Sequence, residues 1–280
     1  DDLMRRHLDA DAVVHLAAQT AVTTSVVEPQ RDFEANALGT LNVLEAVRRH
    51  APGAALLFSS TNKVYGSLEH ETIVSRGDRY ELADRPQGIS ELCPLDFHSP
   101  YGCSKGAADQ YVRDYSRIYG MRTVVFRQSC IYGPRQYGLE EQGWVAWFAI
   151  AAATGTPITV FGDGCQVRDL LWIDDLCLLY QSAITNIDRV SGQVYNIGGG
   201  PANALSVREV LRIIEEVCGK PLHRAHGPWR SGDQRIFIAD TTKIARDLGW
   251  APRMGAAEGV ARLVAWVRQS VREAEHGPQE

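Results

Sequence analysis

Short apolar runs alternate with helical segments through the first half of the chain, and this alternation limits the folds open to it. Residues 12–16, 54–58 and 123–126 are rich in apolar side chains and are typical of buried strands. Residues 32–49 carry apolar side chains at helical spacing, and a second helix begins at Ser99-Pro100, where the serine caps the first turn. Strands that alternate with helices form a parallel sheet covered on both faces. The sequence therefore predicts an α/β fold with a doubly wound parallel sheet.

Between the second strand and the second helix, residues 67–96 are polar and show no clear periodicity, which predicts a long irregular excursion. After Tyr132-Gly133-Pro134 the pattern loosens into shorter strands and helices. We expect this second half to form a smaller lobe that crosses back into the first.

Charge and hydropathy exclude several classes of protein. The net charge is −5 and no basic run forms a patch, so we expect no nucleic-acid partner. No apolar run reaches the ~18 residues of a membrane span, so we expect no membrane partner and a cytoplasmic location. The six cysteines contain no Cys-x-x-Cys pair and no neighbouring His cluster, which predicts buried reduced thiols and no metal site.

Tyr101 and Lys105 lie four residues apart on the predicted helix, so both side chains emerge on one face. A free tyrosine has a pKa near 10, which is too high for an efficient base at neutral pH. A nearby ammonium favours the phenolate, and we therefore expect Lys105 to lower the pKa of Tyr101. Such a pair alone is weak evidence, because many helices carry it by chance.

Several further motifs accompany the pair in a fixed order. They are His15-Leu16-Ala17-Ala18, Asn36 with Gly39-Thr40, Ser59-Ser60-Thr61 before Val64-Tyr65-Gly66, Arg127 with Tyr132-Gly133-Pro134, Arg168-Asp169 before Asp174-Asp175, and Arg230-x-Gly232-Asp233. Over nearly all 280 residues the chain resembles the extended short-chain dehydrogenase/reductase (NAD-dependent epimerase/dehydratase) family, whose members modify sugar nucleotides. The resemblance implies a Rossmann-like fold with a smaller α/β substrate-binding lobe, NAD as cofactor, and a small-molecule nucleotide sugar as substrate.

The resemblance also implies a role for each matching residue. Tyr101 would be the acid/base, Thr61 would bond the reacting oxygen, and Lys105 would hold the nicotinamide ribose. The expected cofactor-binding residues are Leu16, Ala17, Ala18, Asn36, Ser59, Ser60, Tyr101, Lys105 and Gln128. The expected substrate-binding residues are Asn62, Cys130, Phe161, Arg168 and Arg230, of which the two arginines would clamp a diphosphate.

Some of these residues have simpler explanations. Asn36 could be a hydrogen-bonding residue at a helix start, and Arg168 could pair with Asp174 or Asp175. Trp144 and Trp147 could shape a pocket for the nucleotide base, but their helical spacing also fits a core position.

By the same resemblance, residues 1–130 are a partial NAD-binding domain and residues 131–280 are mainly a substrate lobe, with crossings back near 172–198 and 236–250. No Gly-x-x-Gly-x-x-Gly turn precedes His15. We therefore expect the first strands, the pyrophosphate turn and the acid for the adenosine ribose to lie outside this sequence. We also expect a homo-oligomer.

The residues after Thr61 separate the reactions of this family. Its 4,6-dehydratases have an Asp-Glu pair there, whereas this chain has Asn62-Lys63, which disfavours elimination of water. The string Ser60-Thr61-Asn62-Lys63-Val64-Tyr65-Gly66, and the spacing of 40 positions from Thr61 to Tyr101, resemble a subgroup, the CDP-paratose 2-epimerases (CDP-tyvelose epimerases). The resemblance implies NAD-dependent inversion at carbon 2 of a CDP-3,6-dideoxyhexose. Two alternatives stay open: a 4-epimerase or reductase of the same family, and a non-catalytic NAD-binding module.

Overall fold

The computed structural model describes residues 6–7, 9–230 and 232–276. In chain order the strands are β1 (Ala12–His15), β2 (Ala55–Thr61), β3 (Ile73–Arg76), β4 (Arg79–Leu82), β5 (Thr123–Gln128), β6 (Cys130–Tyr132), β7 (Ile158–Phe161), β8 (Val167–Trp172), β9 (Gln193–Ile197), β10 (Ala204–Ser206), β11 (Arg224–Gly227) and β12 (Ile236–Phe237). The α-helices are α1 (Val22–Val27), α2 (Pro29–Phe33), α3 (Gly39–His50), α4 (Ser99–Tyr119), α5 (Trp144–Thr154), α6 (Ile173–Thr185), α7 (Ile187–Val190), α8 (Val207–Cys218), α9 (Thr242–Leu248) and α10 (Ala256–His276).

The central sheet contains four parallel strands in the order β1-β2-β5-β9. Side chains alternate between the two faces of a strand, so neighbouring apolar residues of β2 enter different cores. Leu56 and Phe58 pack on one face with side chains from α3 and α4, whereas Leu57 packs on the other with side chains from α6 and α7. The sheet is therefore covered on both faces, and the predicted α/β, Rossmann-like class is confirmed.

A second layer of structure surrounds β8. This strand pairs with β10 in the antiparallel sense and with β12 and β6 in the parallel sense. Helices α5, α8 and α10 pack into one large apolar cluster beside it. The chain returns to the central sheet at β9, which pairs with β5. Among the described residues, no helix is both long enough and apolar enough to cross a bilayer.

Helix α4 carries the predicted acid/base pair, and local sequence fixes where it begins. The backbone amide of Gly102 donates to the Ser99 hydroxyl at 3.2 Å, as expected of a serine that caps the first turn. Later in the helix, a Cβ on Gly106 would overlap the Phe97 ring, so a larger residue there would displace that ring. The helix ends at Gly120, whose φ of 65° lies in the left-handed region.

The structure differs from the sequence prediction in two elements. Residues 67–96 are not wholly irregular, because β3 and β4 form an antiparallel hairpin within them. Each strand has four residues, and Tyr80 bonds through its amide to Cys165 O at 3.1 Å and through its hydroxyl to Asp163, so the hairpin depends on distant partners. The helix predicted over 32–49 begins earlier, at Pro29, and contains a π-helical turn at Glu34–Leu38 between α2 and α3.

A buried ion pair joins α4 to the sheet. Arg127 on β5 donates from Nε and Nη2 to the two carboxylate oxygens of Asp109 on α4, at 2.9 and 2.8 Å. The two side chains are 3% and 0% exposed. Ser60 donates to Asp109 at 2.8 Å, and Arg127 donates to the Tyr65 hydroxyl at 3.0 Å. Because every partner is buried, the network fixes α4 over the carboxyl end of β2.

We expect Asp109→Ala to lower the free energy of unfolding by about 3–5 kcal/mol, because it leaves the Arg127 guanidinium buried without its counter-charge. Urea unfolding of the purified chain measures the change. Asp78→Ala is the matched control, because Asp78 pairs with Arg208 and Arg212 at the surface and its loss should cost about 1 kcal/mol or less. Equal costs for both variants would contradict the role given to the buried pair.

Candidate active site

A pocket of about 330 Å³ lies between the carboxyl end of β2 and the elements around β8. The predicted site residues that line it are Thr61, Asn62, Tyr101, Cys130, Phe161, Arg168 and Arg230. Parallel sheets bind ligands at this edge, outside the carboxyl ends of their strands. Thr61 and Arg230, which are 169 positions apart in sequence, thus meet around one space.

Tyr101 is 8% exposed and lines the pocket together with Thr61. Burial raises the pKa of Tyr101 to about 12, and the nearby Thr61 side chain opposes that rise. This direction is opposite to the lowering by Lys105 that the sequence predicts, because burial is the largest influence on the pKa of Tyr101. With a pKa of about 12, the phenol is protonated at neutral pH and can donate a hydrogen bond.

The Lys105 ammonium points into the sheet edge beside Tyr101. Its Nζ donates to the Ser59 carbonyl at 2.7 Å and lies 4.3 Å from the centre of the Phe58 ring. Burial lowers the pKa of Lys105 to about 8, and the charges of Asp109 and Asp32 counteract part of that effect. An ammonium has three donors, and among the described residues Lys105 uses one of them. Two of its donors therefore have no hydrogen-bond partner among the described residues.

Asn36 is fully engaged by neighbouring protein groups. Its Oδ1 accepts from the Gln19 amide at 2.9 Å, and its Nδ2 bonds to Gln19 O, Asp32 and Ser104 at 3.0–3.1 Å. It lies in the π-helical turn rather than at a helix start. The structure therefore uses Asn36 to hold the loop after β1 against α4.

The other predicted cofactor residues lie along the same edge. Leu16 is 58% exposed and Ala17 is also exposed, directly after β1. The Ser60 hydroxyl bonds to Asp109, and Gln128 donates to the Tyr180 hydroxyl at 2.6 Å. The Ser59 side chain lies near the same Tyr180 hydroxyl.

This edge fits NAD in its chemistry. An apolar, exposed Leu16-Ala17 surface suits the flat face of a ring, and the spare Lys105 donors suit ribose hydroxyls. Leu16, Ala17, Tyr101 and Lys105 are the residues that would hold its nicotinamide half. NAD supplies hydride acceptance and return when it is bound.

Arg168 lines the pocket, and neighbouring protein groups hold its guanidinium in place. Its Nη2 donates to Asp233 Oδ1 at 3.0 Å and to Gln234 O at 2.8 Å. The alternative pairing with Asp174 or Asp175 is wrong, because those carboxylates bond to the Trp172 indole and to backbone amides at 253 and 254. These hydrogen bonds fix the position of the Arg168 guanidinium at the pocket.

Arg230 also lines the pocket. Its guanidinium carbon lies 3.8 Å from the centre of the Phe161 ring, and its Nη1 donates to Glu140 O at 3.0 Å. Trp144 and Trp147 line the pocket and also pack against the large apolar cluster, as a core position predicts. Cys130 is a neutral thiol there, since burial raises its pKa to about 12.

The turn after Thr61 is tied to the segment after Arg230. Asn62 donates to the Gln234 side chain at 2.9 Å, and Lys63 Nζ donates to Gly232 O at 3.0 Å. Gln234 in turn donates to Gly66 O. The residues that would touch the sugar and those that would touch the diphosphate therefore share one hydrogen-bonded frame.

Sequence reasoning missed three functional neighbours in this frame. Asp233 stands out in the sequence only as the last residue of the Arg230-x-Gly232-Asp233 motif. Gln234 follows it, and Asp109 lies four residues after Lys105, but neither has an expected role. The helical spacing of Lys105 and Asp109 was a usable signal. The bonds of Asp233 and Gln234 join residues more than 60 positions apart, which no local pattern reveals.

Known proteins resemble this chain in sequence and in structure. Residues 1–198 match the profile of the NAD dependent epimerase/dehydratase family. A CDP-paratose 2-epimerase of Salmonella typhi is 46% identical over 261 residues, which is 91% of this chain and 77% of the relative. A dTDP-glucose 4,6-dehydratase of Actinoplanes sp. is 36% identical over 96% of this chain and 76% of the relative.

Solved structures give the same result. A UDP-glucose 4-epimerase of Thermotoga maritima with UDP-glucose matches with a TM-score of 0.81 and 31% identity, over 96% of this chain and 82% of that chain. A Thermus thermophilus UDP-glucose 4-epimerase in complex with NAD matches with a TM-score of 0.79 and 33% identity, over 95% and 81%. The chain is therefore an NAD-dependent enzyme of the epimerase/dehydratase family.

Proposed function

We propose that this enzyme inverts carbon 2 of a CDP-linked 3,6-dideoxyhexose, converting CDP-paratose to CDP-tyvelose. One observation carries the proposal: Thr61 and Tyr101 line the same pocket, and the two residues that follow Thr61 are Asn62 and Lys63. The 46% identity to a CDP-paratose 2-epimerase supports the choice of substrate.

Dehydration needs an acid and a base at the sugar in addition to the tyrosine. Neither Asn62 nor Lys63 carries a carboxylate, and their side chains bond to Gln234 and Gly232. Burial and the charge of Arg168 lower the pKa of Lys63 to about 8, so much of it is still protonated at neutral pH. The similarity to several dTDP-glucose 4,6-dehydratases thus describes the scaffold, and Asn62-Lys63 supports the epimerase.

The proposed mechanism assigns one task to each side chain. Tyr101 takes the proton from the reacting hydroxyl and later returns it, while Thr61 holds the same oxygen by a hydrogen bond. Lys105 fixes the cofactor ribose and adds positive charge beside the phenol, which favours the phenolate once the site is filled. Arg168 and Arg230 hold the diphosphate, so that the sugar can present either face while the nucleotide stays bound.

A 4-epimerase is the second candidate, and a specific observation favours it. The solved structures with matching folds include UDP-glucose 4-epimerases at 31% and 33% identity. The two reactions share Thr61, Tyr101 and Lys105 and differ in which hydroxyl lies against Tyr101. Only the position of oxidation on the sugar separates them.

We expect Tyr101→Phe to lower turnover by about 10²–10⁴-fold, because the proton acceptor is lost while the ring still packs. Product formation by NMR and a thermal unfolding curve measure activity and folding together. Tyr111→Phe is the matched control, since Tyr111 lies on the same helix but is 47% exposed, and this variant should keep full activity. A Tyr101→Phe variant with most of the activity would contradict the assignment.

Arg168→Ala and Arg230→Ala should each weaken nucleotide-sugar binding by about 10–150-fold, which corresponds to charge-assisted hydrogen bonds of about 1.5–3 kcal/mol. Affinity for NAD should stay within about twofold, and calorimetry with each ligand separates the two effects. Arg212→Ala, at a surface pair with Asp78, should change neither affinity. Similar losses for NAD and for substrate would show that the pocket arginines only support the fold.

A substrate deuterated at carbon 2 tests the position of oxidation. If carbon 2 is oxidised directly, its deuterium leaves as hydride and returns to the same carbon, so the product should keep the label. Product NMR in light water measures retention, and unlabelled substrate in heavy water is the control. Solvent deuterium appearing at carbon 2 would reject direct oxidation, and inversion at carbon 4 alone would favour the second candidate.

A further inference from the structure

Three side chains of different chemistry converge at the base of the β3–β4 hairpin. Cys93 Sγ lies 3.4 Å from His70 Nε2, and His70 Nε2 lies 3.4 Å from Glu71 Oε1. All three donor atoms lie within 4.8 Å of one another. None of these residues lines the active-site pocket. In the part of the chain that the structure describes, this is the one group of three such side chains close enough to share an ion.

Glu71 gives an independent sign that something is bound there. Its side chain is 5% exposed, and its Oε1 is buried with no hydrogen bond, although His70 Nε2 lies 3.4 Å away. A buried carboxylate oxygen that accepts no hydrogen bond is costly, and native proteins rarely leave one unsatisfied. The other oxygen, Oε2, accepts from Arg85 at 3.1 Å, so Arg85 holds the carboxylate in place without covering Oε1.

We propose that His70, Glu71 and Cys93 form a binding site for Zn²⁺, with water as the fourth ligand. Thiolate, imidazole and carboxylate are the ligands that zinc takes in proteins. In a tetrahedral site with ordinary bond lengths, the ligand atoms lie about 3.4–3.6 Å apart, which the two 3.4 Å separations match. Zinc would satisfy Glu71 Oε1, and the Arg85 contact would orient the ligand from outside, as such outer contacts commonly do.

The site would act on the structure of the substrate lobe. Residues 70 and 93 close a loop that contains the whole hairpin, and β4 contacts β8, β10 and β12. Arg168 lies on β8, so an ion that fixes the hairpin would also support the strand that carries it. The sequence predicts no metal site, because Cys93 follows Glu71 by 22 positions. The hairpin between them, which brings the two residues together, has no clear periodicity in the sequence. This inference is independent of the proposed function, since its test measures metal binding.

Cobalt is the direct probe, because a thiolate bound to Co²⁺ gives a charge-transfer band in the near ultraviolet. The untagged chain is stripped of metal with a chelator, kept reduced without added thiols, and titrated with Co²⁺. We expect the band to saturate at about one equivalent per chain and to vanish when Zn²⁺ is added. Zinc at about 100 times its Kd should raise the Tm by about 5–10 °C.

Variants connect the band to the three residues. Cys93→Ser should abolish it, and His70→Ala should weaken cobalt binding at least about tenfold. His70 is exposed, so that variant should fold even if Cys93→Ser does not. Cys165→Ser, at another buried thiol, is the matched control and should keep the band. The absence of a band in the unmodified chain, its survival in Cys93→Ser, or unchanged affinity in His70→Ala would overturn the proposal.

Discussion

The buried ion pair between Arg127 and Asp109 determines where the acid/base helix lies. Both charged groups are removed from water, so each depends on the other and on the hydroxyls of Ser60 and Tyr65. Asp109 stands one helical turn after Lys105, and Lys105 one turn after Tyr101. The ion pair therefore determines where Tyr101, Lys105 and Asp109 lie relative to the sheet. Thr61 follows Ser60 directly, so the same network also places the Thr61 hydroxyl at the pocket that Tyr101 lines.

A second buried carboxylate joins the central sheet to the structure around β8. Asp169 on β8 is fully buried, and burial raises its pKa to about 6. It accepts hydrogen bonds from Ser129 and from the amides of Gly200 and Ala239, at 3.0 Å for each amide. These donors lie just after β5, β9 and β12. The Asp169 side chain therefore holds together the ends of three strands. The neighbouring Arg168 is thereby positioned relative to Tyr101 across the pocket.

The sequence was sufficient for the sheet and for the candidate acid/base pair, because both depend on short-range periodicity. Apolar runs of β2 and β5 and the four-residue spacing of Tyr101 and Lys105 are local patterns. The pKa of Tyr101 could not be read in that way, since it depends on how much protein covers the phenol. The bond between Arg168 and Asp233 could not be predicted from the sequence, and neither could the bond between Asn36 and Gln19. Folding alone brings these residues together.

The proposed mechanism depends on reversible oxidation of the substrate. Single-turnover absorbance measures that oxidation most directly. The NAD-loaded enzyme is mixed with CDP-paratose in a stopped-flow instrument, and the absorbance of reduced nicotinamide is followed through one turnover. A rise that decays fully, with CDP-tyvelose formed and no net reduction of NAD, is the predicted result. Permanent accumulation of reduced nicotinamide, or product formed after cofactor removal at an unchanged rate, would contradict it.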